Sequence, residues 1–193
     1  MTKPPKPRRP EQTRIALIAA AAKEIERHGY EGTNSNTIAK EAGYAPQTFY
    51  RHFENKLQVF LALYQGWAEQ SGIRLDDTRG ANEAALFLVE HHREFLNFRR
   101  ALRHLAVIEP DVRAARATSR LNQIEQIKKR LPHLTQASSQ ELLVKLLQIE
   151  RLADACAEQE FADLGVSEEL ALAELAFLMQ SAFGSQSNNQ PSQ

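Results

Sequence analysis

The stretch Thr33–Lys56, TNSNTIAKEAGYAPQTFYRHFENK, decides how the rest of the chain is read. Thr33 is a plausible N-cap for a helix running to about Ala42, with Ile38 and Ala42 four apart on one face. Gly43 allows the left-handed backbone that ends a helix and starts a tight turn. Pro46 suits the first turn of the next helix, where its missing N–H removes no bond, and that helix is predicted to end near Phe53. Helix, short turn, helix at this spacing is the helix-turn-helix layout.

The second of these helices divides by face. Phe49 and Phe53 are four apart and point to a core. The opposite face centres on Arg51, flanked by Gln47 and Thr48, with Tyr50 and His52 at its edges. About eight residues span ~12 Å, comparable to a major-groove width. Arg can bond guanine bidentately, Gln can do so to adenine, and Thr can touch a thymine methyl. Tyr50, His52 and Lys56 are better placed for phosphates, which set register.

Working outward, residues 11–28 read as a supporting helix, with Ile15, Ile18, Ala19, Ala22 and Ile25 in a helical apolar pattern and Gly29 as its stop. Residues 1–10, MTKPPKPRRP, carry four prolines and four basic residues. They read either as a disordered, solvated tail or as a basic arm lying along phosphates or in a minor groove.

Charge supports an anionic partner for this end. The 193-residue chain is neutral overall, yet residues 1–56 hold ten Lys/Arg against six Asp/Glu, and residues 57–193 carry the compensating −4. With 42% apolar and 25% charged residues the composition is that of a globular protein. The single Cys156 excludes an intrachain disulfide and a cysteine-based zinc site, and fits a reduced, cytoplasmic setting. Lys3–Arg14 followed by the Ala-rich Ile15–Ala22 superficially resembles an export signal, but Glu11 interrupts the charged flank and the helical pattern runs on through Ile25. No apolar run approaches the ~18 residues of a membrane span.

Over roughly Arg14–Leu63 the chain resembles the tetracycline-repressor-type (TetR) family of one-component bacterial regulators. The resemblance is carried by Gly32-Thr33, Ile38-Ala39, Ala42-Gly43, and Phe49-Tyr50-Arg51-His52-Phe53 followed by Lys56. It implies a fold of about nine helices, all-α, in which the first three bind DNA and a dimer sets one recognition helix in each half-site. On the matching positions it implies DNA contacts from Asn34, Ser35, Gln47, Thr48, Tyr50, Arg51, His52 and Lys56. Tyr44-Ala45 replaces the family's valine-serine, so the third helix lacks a side-chain N-cap. Gln47 stands where a glycine is usual and adds a reaching side chain.

The remainder reads as a helical body. Asn55 can cap a fourth helix to about Leu75, and Asp76–Ala81 is a polar break. Residues 82–100 and 101–109 are predicted as fifth and sixth helices, the latter closed by Pro110, and Asp111 caps a seventh to Pro132. Ser138–Glu141 forms a capping box opening an eighth helix to about Leu164, and Ser167 starts a ninth that is largely apolar to Phe183. Both final helices are apolar on two sides, the pattern of a homodimer seam built as a four-helix bundle. The linear division is therefore a basic arm at 1–10, a helix-turn-helix domain at 11–54, a ligand-binding and dimerisation domain at 55–183, and a disordered tail at 184–193.

Other chemistry finds little support. His91, His92 and His104 suggest a metal site, but adjacent helical residues diverge by about 100° and cannot readily share an ion. Cys156 reads as a small buried hydrophobe. No phosphate loop, nucleophile elbow or zinc-protease motif is present, so neither an enzyme nor a resident cofactor is expected. Tyr64, Trp67, Phe87, His91, Phe95, Phe98 and His104 lie where relatives hold a small effector, although core packing accounts for such residues equally well. The expected function is a dimeric regulator, most simply a repressor released from a palindromic DNA operator by an unidentified small molecule. The alternative is a helical interaction or ligand-carrier protein that no longer binds DNA.

Overall fold

The structure is a computed structural model that describes residues 10–70 and 80–184. Residues 1–9 of the basic arm, residues 76–79 of the Asp76–Ala81 break, the expected end of the fourth helix at Leu75 and residues 185–193 of the tail lie outside the described residues. Among those described there are nine α-helices and no strand: α1 (Pro10–Gly32), α2 (Ser35–Glu41), α3 (Pro46–Tyr50), α4 (Lys56–Gln70), α5 (Ala81–Glu94), α6 (Leu96–Ile108), α7 (Pro110–Arg130), α8 (Ser139–Ala157) and α9 (Glu168–Phe183).

Two compact units emerge. One draws on Met1–Ser71 and Asn97–Ala115, the other on Gly72–Leu96 and Arg116–Gln193. This division is not the linear one at residue 54, because α4, nearly all of α6 and the start of α7 join the N-terminal unit.

The first unit has its core where α1, α2 and α3 meet. Leu17, Ala20, Ala21, Ile38, Ala39, Phe49, Phe53 and Val59 are buried together, and Tyr44 packs against them. Phe49 and Phe53, four apart in sequence, bring their rings to 5.7 Å and anchor α3 as expected. Burying each ring contributes roughly 1.5–3 kcal/mol. The face of α1 differs from the reading above. Thr13, Leu17, Ala20, Ala21, Glu24 and Ile25 are buried, whereas Ile15 and Ala19 are exposed. A helix with Ala or Ile on nearly every side does not fix its own rotation; α2 and α3 select the stripe with small residues for close approach. Gly29 interrupts this helix as predicted, with φ 69° and ψ 170°.

A second aromatic layer lies in the same unit. Tyr30 meets Phe60 edge-on at 5.3 Å, Phe60 meets Phe98 at 5.2 Å, and Trp67 packs on both Phe98 and Tyr64. The Arg99 guanidinium sits over the Trp67 ring, 5.4 Å from its centroid.

The second unit is built from α5, most of α7, α8 and α9. Val89, Ile124, Leu142, Leu146, Ile149, Leu175 and Met179 are among its buried core. Ser138 and Ser167 cap α8 and α9 as expected, accepting the N–H of Glu141 and Leu170. Helix α8 closes at Ala157 rather than near Leu164, and a short 3-10 turn, Ala162–Leu164, follows. The division between α5 and α6 also moves, from residue 100 to Phe95, whose φ −115° and ψ 36° leave the helical region. Nothing local marks that break, because the group that caps α6 is Glu26, about 70 residues earlier.

Candidate nucleic-acid interface

Asn34, not Thr33, is the N-cap of α2. Its Oδ1 accepts the N–H groups of Asn36 and Thr37, while the Thr37 hydroxyl oxygen accepts the N–H of Asn34, closing a capping box. Thr33 is buried instead and donates its hydroxyl to the Gly29 carbonyl at 2.8 Å, tying down the α1 break. The other end of α2 is a Schellman closure: Tyr44 N–H reaches Ala39 O at 2.9 Å and Gly43 N–H reaches Lys40 O at 3.0 Å, with Gly43 at φ 78°. Helix α3 then begins at Pro46, behind Ala45, which makes no side-chain cap.

Helix α3 is shorter than predicted. It spans five residues and ends at Tyr50, roughly 7.5 Å of rise, with Arg51 as C-cap and His52 in the following turn. Phe53 is nonetheless buried, since its N–H still bonds Phe49 O. Without a side-chain N-cap, and with only one short turn of buried contact, the backbone winds out once the two phenylalanines are seated.

The outward groups of this turn form one surface. Gln47, Tyr50 and Arg51 are exposed, and Thr48 and His52 are half-buried. Tyr50 Oη and Ser35 Oγ lie 2.7 Å apart, joining the start of α2 to the end of α3. Asn34 remains exposed while capping. Seven of the eight residues expected at DNA are thus presented outward to some degree from one continuous helix-turn-helix.

Lys56 is the exception. Its Nζ donates to the Tyr30 carbonyl at 2.7 Å and sits 3.9 Å from the centroid of the Tyr30 ring. Burial holds the Lys56 ammonium below its usual range, opposed by the charge of Glu31. The Tyr30 hydroxyl is pushed up to about 12, by burial first and then by Glu31 and Glu109, so the phenol stays neutral. On the flank, Arg27 and Lys23 of α1 pair with Glu41 of α2, which lowers the Glu41 carboxyl, chiefly through the Arg27 hydrogen bond.

The seven effector candidates are divided between the two units. Tyr64, Trp67, Phe98 and His104 belong to the first unit, and Phe87, His91 and Phe95 to the second. In the first unit Tyr64 and Phe98 are core and His104 is exposed. In the second, His91 stacks parallel to Phe87 and meets Phe95 edge-on, forming a ladder along α5. His92 instead turns inward, its Nδ1 2.9 Å from Asp154 Oδ1 with both groups buried. Among the described residues no group of three or more His, Cys, Asp or Glu is arranged to hold a metal ion. Cys156 is buried, and burial pushes its thiol up, away from thiolate chemistry.

The groups missed from sequence are those whose partners are distant: Glu26, Tyr30, Asp154, and Glu150, which takes two hydrogen bonds from Arg120 and lies 3.7 Å from Arg116. Helical periodicity marks a face but not a partner 26 to 72 residues away.

Comparison with known proteins finds likenesses to the N-terminal helices and to the fold. Residues 17–63 match the family model described as bacterial regulatory proteins, tetR family. Over 115 residues the chain is 32% identical to the HTH-type transcriptional activator FasR of Mycolicibacterium smegmatis, covering 54% of this chain; it spans about half, 52%, of that relative. Among solved structures, a Rhodococcus sp. regulator assigned to the TetR family superposes with a TM-score of 0.67 at 19% identity, covering 90% of this chain and 99% of that one. A Saccharomonospora viridis protein assigned as a transcriptional regulator, solved in complex with choline, gives 0.63 at 18% identity over 88% and 96%. At such identities the structural likeness shows the fold alone. The relatives are transcription regulators, not enzymes. Among the described residues no helix is long and apolar enough to cross a membrane.

Proposed function

We propose that this chain, whose residues 17–63 match the model of the bacterial tetR family of regulators, is a dimeric, sequence-specific DNA-binding transcription regulator that answers to a small molecule. The observation that carries this reading is the single outward surface of Gln47, Thr48, Tyr50 and Arg51, continuous with Asn34 and Ser35 and anchored beneath by Phe49 and Phe53. Gln47, Thr48 and Arg51 read base edges; Asn34, Ser35, Tyr50 and His52 set register on phosphates. Lys56, engaged by Tyr30, acts from behind this surface.

Dimerisation uses α8 and α9. Val144, Leu147, Leu170 and Phe177 are exposed on these helices, Phe177 at 67%, and a second copy offers the same apolar groups in return. Two recognition helices ~34–36 Å apart then meet successive major-groove faces of a palindrome. An effector that prefers a different spacing weakens DNA binding by its differential affinity for the two states, and DNA weakens the effector equally. Release of a repressor is the simplest outcome. Activation is the second reading, favoured by the name of the FasR relative.

The test is selection of bound duplexes from a random pool at low salt. A palindromic consensus is the expected result. Recovery of no preferred duplex would replace the regulator with a helical interaction or ligand-carrier protein.

A further inference from the structure

Near the start of helix α6, the amides of Asn97 and Phe98 are taken by Glu26 of α1. Glu26 Oε1 accepts the N–H of Phe98 at 2.7 Å, and Oε2 accepts that of Asn97 at 3.2 Å. Asn97 Nδ2 returns a hydrogen bond to the Glu26 carbonyl at 2.7 Å. A carboxylate at a helix N-terminus satisfies orphan N–H groups and meets the positive end of the helix dipole, and charge-assisted bonds of this kind are the stronger class. Burial raises the Glu26 carboxyl above its usual range while the two backbone N–H groups pull it down. The clamp therefore holds a charge that desolvation opposes, which a solvated surface glutamate would not do.

The capped residue continues into the DNA-binding helices. The buried Phe98 ring packs on Phe60 of α4 at 5.2 Å, and Phe60 packs on Tyr30 of α1 at 5.3 Å. Tyr30 in turn holds Lys56, the first residue of α4. One residue before Phe60, Val59 enters the core beneath α3. The contacts run from α1 to α6, from α6 to α4, and back to α1, so the circuit is closed within the first unit.

We propose that Glu26 is a positioning residue for DNA recognition, which fixes the start of α6 on α1 and thereby, through Phe98 and Phe60, the seat of the recognition helix. The proposal rests on the DNA-binding reading. It requires no contact between Glu26 and DNA, so it acts by preorganisation: a seat that wanders must be ordered when DNA binds.

Glu26→Ala and Glu26→Gln in the full chain separate this role from its rivals, with binding to the selected duplex, its salt dependence and hydrogen exchange at Asn97 and Phe98 as readouts. Glu26→Ala is expected to speed exchange at both amides and to weaken duplex binding by about tenfold, the scale of one charged hydrogen bond. The salt slope should not change, since no phosphate contact is lost. Glu26→Gln keeps an acceptor oxygen at the same reach and should recover binding to within about threefold of the parent chain, the rescue coming from the retained acceptor and the remaining shortfall from the lost charge. A folded Glu26→Ala that binds within about twofold of the parent overturns the proposal, as does a slope that falls by about one phosphate. If the alanine variant does not fold, Glu26→Gln decides: fast exchange at both amides with parent-level affinity overturns it. Failure of the unmodified chain to prefer any duplex would instead defeat the DNA-binding reading, so the two failures are distinct.

Discussion

Arg51 and Lys56 are both cations at the end of the helix-turn-helix, yet their surroundings assign them different work. Arg51 closes α3 with its side chain exposed, while Lys56 has its ammonium on the carbonyl and ring of Tyr30. Alanine at Arg51 should cost ~1–3 kcal/mol on the selected duplex and much less on a scrambled one, relaxing preference at one base pair. Alanine at Lys56 should weaken binding without changing the dependence on salt, because no phosphate is released. Titrations of both variants across a salt series check this; a slope reduced by about 0.9 for Lys56→Ala would move that residue onto a phosphate. From sequence the two were separated only as base and phosphate contacts, since nothing in the residues around Lys56 names Tyr30 as its holder.

At the scale of elements, local chemistry was readable wherever the deciding groups are neighbours. Gly43, Pro46, Ser138 and Ser167 act at the positions expected of them. Reading failed where two neighbours competed or the partner was remote. Thr33 and Asn34 are both capping residues, and only the demand of the Gly29 carbonyl for a donor sends Thr33 inward and leaves the cap to Asn34. The α5–α6 break depends on Glu26, and the rotation of α1 depends on α2 and α3. Gly43 gives a clean test of the turn. A Cβ there would meet nothing within 4 Å, so any cost of Gly43→Ala is that of forcing an alanine to φ 78°. Unfolding in urea should show a loss of about 1–2 kcal/mol for alanine and a smaller one for asparagine, which tolerates this region. An alanine variant as stable as the parent would mean that the turn relaxes to another geometry.

For the whole molecule, the resemblance to the tetR family model over residues 17–63 and the helical fold followed from one motif of some two dozen residues, because the Phe49/Phe53 anchor, the glycine turn and the exposed polar face occur together. The division into units did not follow, since α6 enters the N-terminal unit through contacts made by Phe98 and Glu26 rather than through any composition change. The proposed effector site was the least readable part. Aromatic and histidine residues on α4–α6 serve as core, ladder and surface in different places, and their types alone do not separate these roles. In the proposed function, pairing of two chains through α8 and α9 links the short recognition helix to specificity: one five-residue helix touches few base pairs, and two in fixed register double the reading. The most direct measurement is therefore a titration of the full chain against the selected palindrome, one isolated half-site and a scrambled duplex, with the mass of each complex determined. Two chains per palindrome are expected, bound at least ~10³-fold more tightly than to the scrambled duplex and with much weaker binding to the half-site. One chain per palindrome, or equal affinity for palindrome and scrambled duplex, would contradict paired, sequence-specific recognition.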